Sequence, residues 1–288
     1  ALLADIDIIS RAPAKMTASG YADLLAKITA GADWIIADEL DVEKIDERAW
    51  SIVQDGLKDA LSDPEGAKRG DKKAIAQLIE GLILGGFAMQ WSKSSRPASG
   101  AEHQFSHLWD MEHHKHNGAS PSHGFKVAIG TLAVTRLYEE LLKLPIDQLD
   151  IENCCSQWPE WETVDAKALE LFAGTDFPTI GEKETKAKYI DKKALAEQLN
   201  LLKQQWPHIK RRIANQLIPA DEIVRRLKVV GAPTTPEEIG ISRERLRESF
   251  IRAQYIRRRF TVLDLALRTA ALPTCLNTLF GKGGVWEI

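Results

Sequence analysis

The sequence predicts an all-α domain that is preceded by one β-strand. Over most of the chain, apolar residues recur at spacings of three and four, which is typical of helices that bury one face. Short segments rich in proline and glycine separate these stretches and are expected to end the helices. The predicted helices span residues 21–36, 74–89, 127–144, 186–202, 209–217, 220–230, 243–255 and 260–271.

The strand is predicted at the start of the chain. Residues 1–10, Ala-Leu-Leu-Ala-Asp-Ile-Asp-Ile-Ile-Ser, are mostly apolar and include several β-branched side chains. They contain neither an initiator Met nor the pattern of a signal peptide. We therefore expect residues 1–10 to be a strand from a larger protein, and residues 11–288 to form one helical domain.

The helix predicted at 74–89 overlaps the longest apolar run of the chain, residues 78–91. Glu80 and Gln90 interrupt this run, and it is shorter than the roughly 20 residues that a bilayer span requires. We therefore expect a buried helix and no membrane span.

The composition is that of an ordinary globular chain. The 288 residues are 44% hydrophobic and 27% charged, with a formal net charge of -3, which argues against a disordered chain. Three cysteines, two of them adjacent, make a poor disulfide framework and favour the cytoplasm. Arginines are frequent in the last third, but glutamates interleave with them, so solvated helix faces or a subunit contact are favoured over nucleic-acid binding.

Six of the seven histidines lie between His103 and His123. Neutral imidazole is a common ligand for borderline transition metals and a proton carrier near neutral pH. If residues 100–112 are helical, His103 and His107 project from one face, about 5–6 Å apart at Cβ. This pair could bind a metal, or place one ligand beside a group that faces a substrate. The alternative is that both histidines cap turns or fill core positions.

His123 is predicted to start the next helix, with Ser122 as its N-cap and Gly124 allowing another backbone to approach closely. A helix-loop-helix corner would then return His123 to the same pocket. The remaining histidines of the cluster are expected in a solvated loop: His113, His114 and His116.

A metal bound by two imidazoles normally needs an anionic oxygen ligand as well. Asp23 is a candidate, because the segment from Ser19 to Lys27 places this carboxylate in the first turn of an apolar helix. The alternative is a structural acid at a helix start, where the helix dipole favours an anion. The residues alone leave both interpretations open.

Two long motifs stand out from the rest of the chain. The first runs from Ala12 to Lys27 and is followed by Asp33-Trp34; the second runs from Ser94 to His107 and reads Ser-Ser-Arg-Pro-Ala-Ser-Gly-Ala-Glu-His-Gln-Phe-Ser-His. With residues 123–131, they resemble, in the same order, the glycerol-1-phosphate dehydrogenase branch of the iron-containing alcohol dehydrogenase and glycerol dehydrogenase superfamily. The resemblance extends from residue 1 to about Tyr138.

The resemblance implies that Asp23, His103 and His123 coordinate one divalent metal, and that Asp23 and His107 contact the substrate. The candidate metals are nickel and zinc, with ferrous iron as a third. Arg96 is the expected phosphate contact, because its planar guanidinium matches phosphate oxygens. The alternative for Arg96 is a salt bridge that anchors a loop.

The reaction implied by the resemblance is the NAD- or NADP-linked interconversion of dihydroxyacetone phosphate and sn-glycerol 1-phosphate, a step of phospholipid biosynthesis. The metal would act as a Lewis acid on the substrate oxygen, and the nicotinamide would carry the hydride. His107 would stabilise developing charge or relay a proton. The partners would be small molecules, not nucleic acid, and a homodimer is a candidate assembly.

One departure from the family pattern is large. Family members begin with a dinucleotide-binding α/β domain in which a glycine-rich turn follows a strand, and neither residues 81–86 nor residues 281–284 have that context. We therefore expect an N-terminally truncated piece, made of the last strand of that domain and a dehydroquinate synthase-like helical domain. By itself, this piece is expected to bind nicotinamide poorly and to be inactive.

Two other functions stay open at the level of sequence. One is a glycerol dehydrogenase that acts on an unphosphorylated polyol. The other is an all-α metal-dependent phosphohydrolase, although the chain lacks both a tandem His-Asp pair and a His-Glu-x-x-His motif.

Overall fold

The computed structural model describes residues 3–288, and within that range the regular secondary structure is helical, apart from one isolated β-bridge between His116 and Ala119. Its α-helices are α1 Ile6–Ile9, α2 Ala14–Leu25, α3 Lys27–Glu39, α4 Glu47–Gln54, α5 Leu57–Ala60, α6 Pro64–Arg69, α7 Lys72–Ser92, α8 Ala101–Met111, α9 His123–Leu141, α10 Ile151–Gln157, α11 Trp161–Phe172, α12 Ile180–Lys186, α13 Lys192–Gln216, α14 Ala220–Val230, α15 Arg243–Arg252, α16 Val262–Arg268 and α17 Leu272–Phe280. Short 3-10 helices occur at Arg96–Ala98, Ile146–Gln148, Pro236–Ile239 and Ala253–Ile256. The predicted all-α class is confirmed.

The strand predicted at residues 1–10 is wrong for the part that can be compared. Residues 6–9 form the single turn α1, and the Asp5 side chain accepts hydrogen bonds from the backbone N atoms of Asp7 and Ile8. A strand would leave its backbone groups without partners, because residues 3–288 contain no other strand to pair with it. Ala1 and Leu2 lie outside the described residues, and the division into two domains at residue 10 stays a prediction.

Two helix boundaries also differ from the prediction. The segment predicted as one helix at 21–36 is divided between α2 and α3, which meet at Ala26. The helices predicted at 186–202 and 209–217 are joined in α13, which continues through Pro207. Buried side chains on both sides of the proline, among them Trp206 and Ile209, keep the helix continuous despite the hydrogen bond that proline removes.

Helix α7 is only partly buried, so the expectation of a buried helix is wrong for much of it. Ala74, Leu78 and Ala88 face the protein, whereas Phe87 and Trp91 are about half exposed. Among residues 3–288, α7 is the one helix long and apolar enough to cross a membrane, and 28% of its apolar window is buried. The face with Ala74, Leu78 and Ala88 takes part in the helical domain, because α7 packs against α2 and α4.

Helix α9 connects the two main apolar cores of the protein. The larger core contains Ile129 and Ala133 of α9 together with residues of α3, α8, α13 and α15–α17. The smaller core contains Ala128 and Leu132 of the same helix, with residues of α2, α6, α7 and α14. Because opposite faces of α9 are buried in different cores, its position relative to its neighbours is fixed.

Two glycines let α9 lie unusually close to α2 and α8. A Cβ atom on Gly124 would overlap the backbone oxygen of Ser19 in α2, and one on Gly130 would overlap the backbone oxygen of Glu102 in α8. The close approach predicted for Gly124 is confirmed. The N-terminal half of α9 is therefore held against the two helices that contain Asp23 and His103.

Candidate metal centre

Three side chains from three helices converge at the surface of the protein. Asp23 belongs to α2, His103 belongs to α8, and His123 is the first residue of α9. Each offers one ligand atom, and these atoms all lie within 4.8 Å of one another. Asp23 Oδ1 lies 3.2 Å from Nε2 of His103 and 3.6 Å from Nε2 of His123. The fold thus brings the predicted ligand set together.

These separations suit a small divalent ion. Around a tetrahedral ion with bonds of about 2.0–2.1 Å, the ligand atoms are about 3.4 Å apart, close to both distances from the Asp23 oxygen. Two imidazoles and one carboxylate also leave a coordination position free, which is typical of catalytic rather than structural sites. Nitrogen and oxygen donors suit zinc, nickel or ferrous iron, and they do not select among these metals.

The two histidine helices begin and run as their spacing predicts. In α8, the ring centroids of His103 and His107 are 6.1 Å apart. At the start of α9, the hydroxyl oxygen of Ser122 accepts a hydrogen bond from the backbone N of Phe125, at 3.4 Å, which confirms the predicted N-cap. The corner between α8 and α9 then returns the chain to the cluster.

Asp23 lies near the C-terminal end of α2, which spans Ala14–Leu25, and not in a first turn. The positive end of the helix dipole is at the N-terminus, so a carboxylate at this position gains nothing from it. The alternative interpretation of Asp23 as a helix-start acid is therefore wrong.

Lys27 holds the Asp23 carboxylate in position. Its Nζ donates hydrogen bonds to Oδ2 and to the backbone oxygen of Asp23, both at 3.0 Å, and the lysine is buried. Burial favours the neutral acid, but the charge of Lys27 and the hydrogen bond from His103 outweigh it and lower the pKa of Asp23 below its usual range. Asp23 is therefore anionic, with Oδ1 directed at the histidines.

Glu102 orients the ring of His103. Its Oε1 lies 2.8 Å from His103 Nδ1 and accepts the backbone N–H of Gly100 at 2.6 Å, while Oε2 accepts the hydroxyl of Thr29 at 2.9 Å. Burial favours the neutral forms of both groups. The hydrogen bond and charge of His103 and the backbone N–H of Gly100 nevertheless lower the pKa of Glu102, and the contacts with Asp23 and Glu102 raise the pKa of His103. With Nδ1 used in this way, Nε2 is the nitrogen that faces Asp23, as in the carboxylate–histidine arrangements of metal sites.

Ser106 has the same relation to His123. The Ser106 hydroxyl lies 3.3 Å from His123 Nδ1, which leaves Nε2 for the cluster. Burial, followed by the charge of His103, lowers the pKa of His123, so this ring is neutral at pH 7. The His123 side chain is 46% exposed, so the cluster opens to solvent on this side.

His107 adjoins the cluster without being one of its three ligands. Its ring centroid lies 6.1 Å from that of His103 and 5.9 Å from that of His123. Burial, and then the charges of His103 and Arg257, lower the pKa of His107 to about 4. At neutral pH, His107 is a neutral imidazole that can donate one hydrogen bond beside the free coordination position.

The structure does not bring Arg96 to the cluster. This side chain is 1% exposed, and its guanidinium donates hydrogen bonds to the backbone oxygens of Phe260 and Asp33, at 2.8 and 2.9 Å. Its Nε lies 3.4 Å from the Glu43 carboxylate, an ion pair without hydrogen-bond geometry. These contacts correspond to the loop-anchoring alternative, and they leave little of the guanidinium for a phosphate.

The histidine loop between α8 and α9 is less uniform than predicted. His113 is exposed and His116 is partly exposed, as expected of a solvated loop. The prediction is wrong for His114, which is buried with Nε2 at 2.6 Å from the backbone oxygen of Ile239 and Nδ1 at 2.8 Å from Arg245. His114 joins two distant chain segments and does not belong to the cluster.

The residues that orient Asp23 and the two histidines were not among the predicted site residues. Glu102 directly precedes His103, and helix spacing gives no reason for neighbours in sequence to contact each other. Lys27 stands four residues after Asp23, so the i,i+4 pairing of opposite charges was a usable signal for it. No comparable signal points to Ser106 or to Thr29, because their contacts depend on the packing between helices.

No family model matches the chain, but several curated relatives do. Glycerol-1-phosphate dehydrogenase [NAD(P)+] of Halalkalibacterium halodurans is 33% identical over 153 residues, which are 53% of this chain and 38% of the relative. The enzyme of the same name from Pyrococcus horikoshii is 39% identical over 138 residues, 48% of this chain and 39% of the relative.

A third relative, the glycerol-1-phosphate dehydrogenase [NAD(P)+] of Bacillus licheniformis, is 26% identical over 285 residues, 99% of this chain and 57% of the relative. The chain thus spans between 38% and 57% of the length of these three relatives. The resemblance predicted from the two motifs is confirmed: this all-α chain is similar in sequence to glycerol-1-phosphate dehydrogenases of bacteria and archaea.

Proposed function

We propose that this chain contains the metal- and substrate-binding residues of an NAD(P)-linked dehydrogenase that interconverts dihydroxyacetone phosphate and sn-glycerol 1-phosphate. The observation that carries the proposal is the convergence of Asp23, His103 and His123, whose ligand atoms lie within 4.8 Å of one another. The names of the curated relatives supply the substrate and the nicotinamide.

Asp23, His103 and His123 would bind one divalent ion, nickel or zinc in our proposal and ferrous iron as the alternative. When bound, the ion supplies Lewis-acid polarisation of the substrate oxygen. Glu102 and Ser106 fix the two imidazoles with Nε2 toward the ion position, and Lys27 keeps Asp23 ionised. The chain thereby presents a preorganised ligand set, with one side open to substrate.

His107 would contact the substrate from beside the ligand set. Because its low pKa leaves it neutral at pH 7, it would donate a hydrogen bond to the reacting oxygen rather than carry a positive charge. We do not assign the phosphate to Arg96, whose donors are used inside the protein. Arg257 is exposed and acts on the pKa of His107, so it is our candidate for the phosphate contact.

Several finer assignments follow from the same proposal. The nicotinamide is NAD or NADP. The three cysteines are all free thiols, which supports a cytoplasmic location. A homodimer and a role in phospholipid biosynthesis stay predictions.

Metal binding is the first test. Purified protein is stripped with a chelator and titrated with Ni²⁺ and with Zn²⁺, alongside Asp23→Ala, His103→Ala and His123→Ala. Each variant loses one ligand, and we expect its affinity to fall by at least about 100-fold. His113→Ala removes an exposed histidine of the same segment and should bind like the wild type. Stoichiometric metal in all three ligand variants would rule out the proposed site.

Substrate binding is the second test. The metal-loaded protein is titrated with dihydroxyacetone phosphate and with dihydroxyacetone by calorimetry, with His107→Phe and Arg257→Met as variants. We expect the phosphorylated ketone to bind more tightly, His107→Phe to weaken both ligands, and Arg257→Met to weaken only the phosphorylated one. Equal binding of both ketones would favour the unphosphorylated-polyol alternative, and binding of neither would contradict the proposal.

A further inference from the structure

A second cavity lies away from the histidine cluster, between α10, α11, α12, α16 and the 3-10 helix at Ala253–Ile256. Its volume is about 210 Å³, and none of the cluster residues lines it. An engineered protein cavity of about 150 Å³ binds benzene. The present cavity therefore has room for a six-membered ring that bears a polar substituent.

The wall of the cavity is largely apolar and aromatic. Val164 and Leu267 contribute aliphatic surface, and Tyr255 contributes a buried ring. Trp158 and Tyr189 are partly exposed, and their rings are stacked with centroids 6.0 Å apart and planes inclined by 16°. These features are typical of small-molecule sites, in which an apolar wall supplies most of the contact area.

Three polar side chains of the wall can bind a ligand in the cavity, and one of them is buried without a partner among the described residues. The Thr185 hydroxyl oxygen is buried without a hydrogen bond, in a residue that is 6% exposed. The side-chain amide of Gln254 and the hydroxyl of Tyr255 also line the cavity, in residues that are 7% and 8% exposed, and their polar atoms are open to the cavity. Buried polar groups are normally paired, so the Thr185 hydroxyl indicates a ligand that would pair with it, and the Gln254 and Tyr255 groups are accessible to the same ligand.

The charges of the wall do not balance. Lys188 and Arg268 are the basic side chains of the lining, and Asp264 is the one carboxylate among the lining residues. Lys188 Nζ binds that carboxylate at 2.6 Å, whereas the Arg268 guanidinium donates to the neutral Gln198 side chain and to the backbone oxygen of Lys188. Arg268 is 4% exposed. The charge of Asp264 acts on both basic groups, and the Arg268 guanidinium also lies over the Phe260 ring, 4.8 Å from its centroid. Two buried basic groups thus share one carboxylate, and an anionic ligand would balance the second.

We infer that this cavity binds a small organic monocarboxylate with an apolar body, of the size of a single aromatic ring. The carboxylate would lie at the Arg268 side of the cavity, and the body would pack against Tyr255, Val164 and Leu267. The unused hydroxyl and amide groups would donate to the carboxylate oxygens, since bonds to an ionised acceptor are the strong ones. This site is independent of the proposed dehydrogenase activity.

Benzoate is the probe, with benzamide as a neutral molecule of the same shape and toluene as one without polar groups. Binding is measured by calorimetry in the presence of a chelator, so that no metal can hold the carboxylate. We expect benzoate to bind with a Kd of about 1 mM or tighter, and benzamide to bind at least about tenfold more weakly. Equal binding of benzoate and benzamide would contradict the charge argument.

Variants locate the site. Leu267→Trp fills the cavity from a partly exposed position and should weaken benzoate at least about tenfold, while Leu169→Trp places the same ring at an exposed leucine outside the cavity and should have no effect. Tyr255→Phe removes one unused hydroxyl and should weaken benzoate binding by about fivefold.

Asp23→Ala should bind benzoate like the wild type, whereas loss of binding in Asp23→Ala would place benzoate at the histidine cluster and overturn the inference.

Discussion

The histidine cluster and the Arg96–Asp33 network are both built from ionisable side chains around the start of α8, yet they differ in what their polar atoms already bind. In the cluster, the Asp23 oxygen and the two Nε2 atoms face one another at the surface. In the network, Asp33 Oδ1 accepts from the Tyr138 hydroxyl and the backbone N of Val262, and Oδ2 accepts from the backbone N of Ala101.

The burial of the two regions differs in the same direction. Asp33 is fully buried, and burial followed by the charge of Glu102 raises its pKa to about 7. Arg96 is equally enclosed, whereas the His123 side chain is 46% exposed. Residue type therefore does not distinguish a candidate ligand set from a structural network. The distinguishing property is whether the polar atoms have unused bonding capacity at an accessible position.

The largest expected effect is on stability. Arg96→Met would leave the backbone oxygens of Phe260 and Asp33 without donors, so we expect the free energy of unfolding to fall by about 3 kcal/mol in urea titrations. Arg69→Met, at an exposed arginine, is the control and should change little. If Arg96→Met kept its stability but lost affinity for dihydroxyacetone phosphate, Arg96 would be a substrate ligand. The distinction drawn between the histidine cluster and the Arg96–Asp33 network would then be wrong.

The next effect is the stability gained on metal binding, which should depend on the histidine cluster and not on the Arg96–Asp33 network. Metal at 100 times its Kd should raise the free energy of unfolding by about 2.7 kcal/mol, because the ion binds only the folded protein. A chelator should reverse the gain, as measured by urea unfolding with and without Ni²⁺. Asp23→Asn should show no gain, whereas Arg96→Met should show the full gain from its lower starting point. A full gain in Asp23→Asn would place the metal elsewhere.

Glu102→Gln tests the residue that joins the two regions, since Glu102 binds His103 and also acts on Asp33. The amide keeps the shape but loses the charge that orients the imidazole, so we expect metal affinity to fall about 10- to 100-fold in titrations. The free energy of unfolding should change less than in Arg96→Met. A large loss of stability with unchanged metal affinity would make Glu102 part of the structural network alone.

The smallest effect is expected for Ser106→Ala. Its hydroxyl makes one long contact, 3.3 Å, with a partly exposed ring, and such a bond contributes about 1 kcal/mol. Metal affinity should therefore fall by no more than about fivefold. Ser156→Ala, which removes an exposed serine of α10, is the control. An effect as large as that of Glu102→Gln would mean that the two imidazoles depend equally on their partners.

Much of the cluster was predictable from local sequence. Three of the signals each depend on one helix or on one contact of its backbone. They are the i,i+4 spacing of His103 and His107, the cap at Ser122 and the small residue at 124. The resemblance then joined Asp23 to the histidines. The position of Asp23 in its helix was not predictable from the apolar pattern, because α2 and α3 continue through Ala26 with almost no break.

The helical class, the order of most helices and the candidates for ligands could be read from the sequence, because apolar periodicity and capping act within a few residues. The tertiary structure alone decided which candidates meet in space and which are consumed by internal partners. Arg96 and His114 became structural, and Glu102 and Ser106 became the groups that orient the imidazoles. The physical reason is that burial and hydrogen-bond satisfaction depend on contacts between distant segments, which no local pattern records.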